Sequence, residues 1–458
     1  MASQLAKLEA RLCELRSVIP TTKGIGFSQY KPSFIASLPC EILSAIFNEG
    51  PTDPEDRTRF AISVSQVSRF WRETAMQTRY IWSGIILLPW RTGSGYQNFL
   101  KVLISRSQSH PLDVQIHLNE WDKPHTLDHL LLRTQIDVVI LEIARWRSFG
   151  FWCGEPDDIS DVMARLHHLS APILESFDFC FTSEEMSGRV LWKIFEAGAP
   201  MLSHVHLYGV TPIDLLVPLS SVTSLHLEFG HVVNRLMPGK DLLQVLRSLS
   251  ALVFLNLDGV FVDLYDLHQQ SLQGKHVEIA TLRSLSFSAN AFSKYCIQSV
   301  LSTIRCPALE SLTISGFDAW DNLSPTQHLP IPPLPALRSI KLYRINCNQF
   351  VTNFDFTHLP ALESISLREC TFPIALIRTL LPSQGRASGD VVWPVLRVIN
   401  LWHLDTKDFD CLREAMSHRH ACGKPISVTL DPEVLQNFKA ISKRLHTDSH
   451  TVTHLQSP

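Results

Sequence analysis

Charged side chains are scarce in this 458-residue chain: Asp, Glu, Lys and Arg make up 19%, against roughly 25% in an average globular protein. The two signs nearly balance, leaving a net charge of −3. No bulk field draws such a chain toward phosphate backbones, and no basic run is long enough to create one locally, so nucleic acid is not an expected partner. Long apolar runs are missing as well. The longest, around Ile85 to Trp90, is far shorter than the ~20 residues that span a bilayer, which argues against a membrane role. The opening stretch "MASQLAKLEARLCELRSVIP" is interrupted by Lys7, Glu9, Arg11 and Glu14 and does not read as a secretory leader. The 10 cysteines are scattered and form no CxxC pair. Reduced thiols in a cytoplasmic or nuclear compartment are the expectation, and the sequon at Asn322-Leu323-Ser324 then carries no weight.

Catalytic signatures are missing too. There is no GxSxG elbow, no HExxH, no GxxxxGK[ST] loop and no GxGxxG after a strand. The Gly-rich "RTGSGYQ" (91–97) lacks the lysine that would hold phosphate. "HRHAC" (418–422) has only Cys411 nearby to complete a zinc set. Cys180 shares a neighbourhood with Asp178 and His206 in the repeat frame described below, but no oxyanion donor accompanies it. The expectation is a chain that is not an enzyme and needs no metal or cofactor.

What the chain does contain is a repeat. "APMLSHVHL" (199–207), "SALVFLNL" (250–257), "ATLRSLSF" (280–287), "CPALESLTI" (306–314), "LPALRSIKL" (334–342), "LPALESISL" (359–367) and "WPVLRVINL" (393–401) share one frame. Apolar residues stand at positions one, four and six, as in Leu309, Leu312 and Ile314 or Leu362, Ile365 and Leu367. Degenerate copies fit at Leu174/Phe177/Phe179, Trp146/Phe149/Phe151 and Trp82/Ile85/Leu87. Successive starts at 252, 282, 309, 337 and 362 are 25 to 30 residues apart, near the leucine-rich-repeat period of about 20–29. Positions four and six share one face of a short strand. Helical patterns such as "DLLQVLRSL", "CIQSVLSTI" and "IALIRTLL" lie between the frames. A strand-turn-helix unit cannot bury its apolar face alone, and stacking its neighbours solves that. The chain resembles leucine-rich repeats from about 82 to 431. It departs from them at the ninth position, where Asn or Cys is usual: Cys370 fits, but Val210, Val260, Phe317, Ile345 and Leu404 do not. An irregular solenoid without an asparagine ladder is expected. The prolines of "LPIPPLPAL" (329–337) read as a loop between units.

In this frame positions five and seven point to the concave surface. Position five runs Asp178, His206, His226, Asn256, Ser286, Thr313, Lys341, Ser366, Asn400; position seven runs Cys180, Tyr208, Glu228, Asp258, Ser288, Ser315, Tyr343, Arg368, Trp402. Exposed Tyr, Arg and Trp are the types that anchor protein interfaces. Tyr208, Lys341, Tyr343, Arg368 and Trp402 are therefore the expected contacts for a target protein, with the late cluster preferred.

Residues 38–85 differ from the array. "LPCEILSAIF" (38–47) places Ile42, Leu43, Ile46 and Phe47 in a stripe wide enough to bury one helix face. The polar "NEGPTDPEDRTR" reads as a loop, and "FAISVSQVSRFWRETAMQTRYIWSGI" as a helix closed by Trp82 and Ile85. The combination "LPCEILSAIF … VSQVSRFWRETA … YIWSGI" resembles the F-box of fungal F-box-like proteins. That resemblance implies docking onto the adaptor subunit of a cullin-based ubiquitin ligase, with the repeats capturing the substrate. By motif, the docking residues are Leu38, Pro39, Ile42, Leu43, Ile46, Val67, Phe70 and Trp71. Gln77-Thr78-Arg79-Tyr80 stands where many relatives have a proline before the closing Trp, and Ser65 where Cys is frequent. Upstream, Leu5, Leu8, Leu12, Leu15 and Ile19 follow a two-heptad seam that serves either self-association or packing on this segment.

The expected organisation is an α/β repeat: N-terminal helix and linker (1–37), helical F-box-like domain (38–85), leucine-rich-repeat solenoid (86–432) and tail (433–458). The expected function is the substrate receptor of a Skp/cullin/F-box-type ligase. The alternative is a ligase-independent interaction scaffold whose N-terminal helices merely cap the solenoid.

Overall fold

The structure, a computed structural model, describes residues 38–88, 94–118, 129–154, 156–182, 191–229, 236–259, 262–288, 296–317, 333–353, 359–381, 391–402, 408–431 and 455–456. The leucine seam at 5–19, the sequon at Asn322, Val260 and Leu404, and most of the tail lie outside the described residues.

Three helices open the described chain: α1 (Cys40–Asn48), α2 (Pro54–Ser65) and α3 (Arg69–Gln77). The second half of the polar segment expected to be a loop is thus helix. Asp53 caps α2, accepting hydrogen bonds from the backbone N–H groups of Glu55 (2.9 Å) and Asp56 (3.2 Å), and Pro54 sits at the first helical position, where its missing N–H is harmless. The single helix expected from residue 60 onward is broken at 66–68. Ser68 starts α3 afresh by accepting from the Trp71 N–H at 3.1 Å.

A short 3-10 turn (Arg79–Trp82) then leads into a parallel sheet, which begins at Gly84, inside the expected helical domain. Among the described residues this sheet has 14 strands, all pairing parallel and in chain order apart from short side strands at 192–193, 215–216, 277–278 and 304–305. Helices such as Gly239–Ser248, Leu264–Leu272 and Phe409–Ala421 alternate with the strands, the strand-helix repetition of a leucine-rich-repeat-like solenoid. Among the described residues no helix is long and apolar enough to cross a membrane.

The register explains the stack. Leu285 pairs with Leu312, Leu312 with Ile340, Ile340 with Ile365 and Ile365 with Ile399, so each apolar frame lies directly on the next. All the residues at positions one, four and six named above are buried. At ~1.5–3 kcal/mol for each large apolar side chain, this continuous core dominates the stability. Aromatics fill the early units, where Phe149 stacks on Phe177 and Phe151 on Phe179, with ring centroids 5.7 and 5.4 Å apart.

Two further strands, Leu112–His117 and Ser427–Leu430, carry the same stack and keep positions four and six but lack the apolar first position. Pro111 and Pro425 occupy their first position, and the neighbouring Leu112 and Ile426 are buried instead. The ninth position is apolar and buried at Val210 and Ile345. Cys370, also buried, directs its thiol to the carbonyls of Leu342 and Arg368, both at 3.4 Å. Position eight takes left-handed backbone: Gly209 (φ +74°), Gly259 (+83°) and Gly316 (+86°) share it with Arg344 (+55°) and Glu369 (+53°).

Candidate interaction surfaces

The helices at 40–77 divide their apolar residues between two sides. Leu43 and Phe47 are buried, and Phe47 meets Phe60 and Trp71 edge-on at 6.0 and 5.4 Å. With the 2.8 Å hydrogen bond between Ser44 and Thr78, these contacts set α1 beside α3, running in opposite directions. Ile42 and Ile46, one turn apart, are half exposed at 50% and 49%, and Val67 reaches 61%. Phe70 and Pro39 are exposed; Leu38 and Trp71 are half-buried. The stripe in "LPCEILSAIF" therefore splits. Leu43, expected in the docking set, belongs to the core instead, because it faces the same side as Phe47. Met76, 39% exposed on α3, was not anticipated.

The underside of this segment is fastened to the solenoid by charge. Arg57 is 2% exposed and donates to Asp113 Oδ2 (2.6 Å), Ser83 Oγ (2.9 Å) and the carbonyls of Pro51 (3.3 Å) and Thr52. Asp113 lies on the second strand and also accepts from Arg147 (2.6 and 3.1 Å) and Ser148 (2.9 Å). Burial pushes its carboxyl pKa up, but the hydrogen bonds and charges of Arg147 and Arg57 outweigh that and hold it below its ordinary 3.8. Trp82, fully buried, donates its indole N–H to Ala75 O at 2.7 Å.

On the open face of the sheet the expected lanes form in full register. Asp178 pairs with His206, His206 with His226 and His226 with Asn256; Thr313 pairs with Lys341 and Tyr343 with Arg368. The late residues gather at one end. Tyr343 sits beside Arg368, whose guanidinium lies 5.6 Å from the phenol centroid, and Trp402 follows on the next unit with its N–H on Leu367 O at 3.1 Å. Lys341 and Arg368 are exposed, Tyr343 and Trp402 half-buried. A hydrogen bond with Glu369 raises the Tyr343 hydroxyl pKa. Tyr208 is separated from this group: five strand steps lie between it and Tyr343, about 24 Å at the usual strand spacing.

Tyr208 belongs to an acidic and imidazole-rich group with Asp178, His206, His226, Glu228 and Asp258. Position-five and position-seven residues on neighbouring strands make this group legible in sequence, although the convergence of His206, His226 and Glu228 was not anticipated. His206 has Asp178 Oδ1 at 3.4 Å from Nδ1 and Glu228 Oε2 at 3.3 Å from Nε2, and its pKa is raised chiefly by the Asp178 contact. His226, stacked on His206 at 4.3 Å, is lowered by burial and then by its neighbour. Burial and the Glu228 charge push the Cys180 thiol up to about 11, which keeps it protonated and a poor nucleophile. In "HRHAC", Cys422 lies 3.8 Å from His418, and among the described residues no third ligand joins them.

No protein-family model and no curated protein matches the chain. Among solved structures, the crystal structure of a TLR13–ssRNA13 complex matches at 14% identity over 69% of this chain, with a TM-score of 0.24. The chain covers 51% of that structure's length.

Proposed function

We propose that the chain is the substrate-recognition subunit of a Skp/cullin/F-box-type ubiquitin ligase. Its α1–α3 segment docks the adaptor, and the open sheet face holds the target protein. The observation that carries this reading is the exposure of Ile42, Ile46, Val67 and Phe70, while Leu43 and Phe47 already satisfy the segment's own core. Large apolar side chains concentrated on so short a segment mark an interaction surface. The solenoid's part is geometric: it holds a bound target at fixed distance and orientation from the catalytic subunit, which raises the local concentration of target lysines there.

A second reading has its own support. The Arg57–Asp113 pair and Trp82 anchor α1–α3 over the first strands, as a terminal cap of a solenoid requires. In that reading the chain is a ligase-independent scaffold. Co-purification with the adaptor and cullin separates the two. The double variant Ile42→Asp/Val67→Asp, both exposed positions, is expected to abolish adaptor association and leave the fold intact. Undiminished association in that variant sinks the docking assignment, and a wild-type chain that brings down no adaptor leaves the scaffold.

A further inference from the structure

We propose that His206, His226 and Glu228 form a binding site for a divalent transition-metal ion of the zinc class on the open face of the sheet. His226 and Glu228 are two apart on one strand and so share its face. His206 stands opposite His226 in the strand register. The two imidazoles stack at 4.3 Å with a 17° interplanar angle, and the Nε2 atoms of His206 and His226 lie 3.3 and 3.7 Å from the same Glu228 oxygen. All three ligand atoms fall within 4.8 Å of one another. With zinc–nitrogen and zinc–oxygen bonds of about 2.0–2.2 Å, tetrahedral ligands sit about 3.4 Å apart, close to the two imidazole–carboxylate separations, and the stacked rings need only turn out of parallel to direct both nitrogens at one ion.

Two independent features support a metal over a plain charge cluster. His206 turns its other nitrogen to Asp178 Oδ1 at 3.4 Å. A carboxylate behind a ligating imidazole fixes ring orientation and tautomer and strengthens the ligand. His226 Nε2 is also buried with no hydrogen-bond partner, so it is an orphaned polar atom, 3.7 Å from the Glu228 carboxylate. Two imidazoles and one carboxylate match zinc, cobalt, nickel or copper in donor type. Magnesium and calcium prefer oxygen donors alone. Three protein ligands leave one tetrahedral corner for water. The neighbouring Asp178 and Asp258 add negative charge, which favours a cation.

A second trio, His167, His168 and Glu196, is a weaker candidate. His167 Nε2 is likewise buried without a hydrogen-bond partner, but His168 and Glu196 are 77% and 54% exposed, and among the described residues no second carboxylate lies behind either imidazole. It serves as the internal control.

The test uses the full chain, stripped with chelator and titrated with zinc(II) by calorimetry and with cobalt(II) by visible absorption. The expected result is one equivalent bound, with the intense visible bands of a four-coordinate cobalt site. Magnesium at the same concentration should give no binding heat. His226→Gln and Glu228→Gln should each weaken zinc binding at least 100-fold. Asp178→Asn, acting through His206, should weaken it about 10- to 100-fold, and His168→Gln should leave it unchanged. Zinc should also raise the melting temperature of the wild type but not of Glu228→Gln, a readout that survives if His226→Gln folds poorly. Absence of stoichiometric binding, wild-type affinity in Glu228→Gln, or loss of binding in His168→Gln overturns the assignment. None of these outcomes depends on whether the chain associates with a ligase.

Discussion

Arg57 Nη1 lies 2.6 Å from Asp113 Oδ2, joining a helix before the sheet to its second strand across 56 residues of chain. Both side chains are almost wholly buried, and Arg147 approaches the same carboxylate at 2.6 Å from a more exposed position. The two arginines are not equivalent. Among the described residues Arg57 pairs with no other anion, so Asp113→Ala strands a buried guanidinium. That variant should lose ~3–5 kcal/mol. Arg57→Met should lose less, because Arg147 still neutralises Asp113. Urea denaturation of the two variants checks the order; equal losses contradict it.

The same pair has a pH signature. The folded pKa of Asp113 is depressed below its ordinary 3.8. Its contribution is therefore fully present above the unfolded pKa and is lost as pH falls through the folded value. The wild type should lose stability on acidification below about pH 4, and Asp113→Asn should lose less over the same interval. Denaturation midpoints measured from pH 6 to pH 2.5 show whether the two curves converge at low pH.

Leu43 and Ile42 are chain neighbours with opposite exposures of 1% and 50%. Leu43→Ala should lower stability by ~2–5 kcal/mol through the cavity left against Phe47. Ile42→Ala should change it by less than about 0.5 kcal/mol. Adaptor association, where it occurs, should respond the other way round, falling in Ile42→Ala. Thermal melts and a pull-down on the same two proteins separate core from surface.

Position eight of the repeat offers a backbone test. A Cβ on Gly209 stands 2.0 Å from Phe181 O, and the residue is left-handed at φ +74°. Gly209→Ala should cost more than about 2 kcal/mol, the left-handed penalty plus displacement of that carbonyl. Glu369 carries the same conformation with a side chain, at φ +53°. Glu369→Gly should gain up to about 1 kcal/mol, the relief of strain less the added chain entropy and the small loss of its solvent-exposed contacts with Tyr343 and Arg368. Opposite signs at two equivalent positions, read from denaturant midpoints, are the expected outcome.

The repeat was legible because its information is local and periodic: Leu309, Leu312 and Ile314 declare a strand within six residues, and the copies declare the stack. The strands after Pro111 and Pro425 were hidden because proline displaced the first apolar position by one residue. The first half of the helix Pro54–Ser65 was hidden for a different reason. Residues 54–59 are polar, and much of their anchoring comes from Arg57, whose partner Asp113 belongs to a different part of the chain. In "LPCEILSAIF" the helix was legible, but which apolar residues face inward depends on Trp71 and Phe60. The lanes placed His206 beside His226; that Glu228 reaches both nitrogens is set by side-chain rotamers, which periodicity does not encode.

Arg419 supplies the last test, at the other end of the solenoid. It is fully buried in the helix Phe409–Ala421 and donates to the carbonyls of Val392 (2.7 Å), Trp393 (3.1 Å), Leu396 (3.0 Å) and Lys424 (3.1 Å). Burial lowers its pKa, and its hydrogen bonds among the described residues all go to neutral carbonyls, so the guanidinium acts as a fork that joins the helix Phe409–Ala421 to the preceding unit. Arg419→Met leaves those acceptors without a donor and should cost on the order of 3 kcal/mol. Arg419→Lys should recover only part of it, since one ammonium cannot span carbonyls on both sides of the helix. Because solenoid stability is a nearest-neighbour property, the damage should stay local. Hydrogen exchange should accelerate at amides of Ser427–Leu430 and of Phe409–Ala421, while amides of Gly84–Leu87 keep their wild-type protection. Uniform acceleration along the whole chain contradicts the joint and makes the array a single cooperative unit.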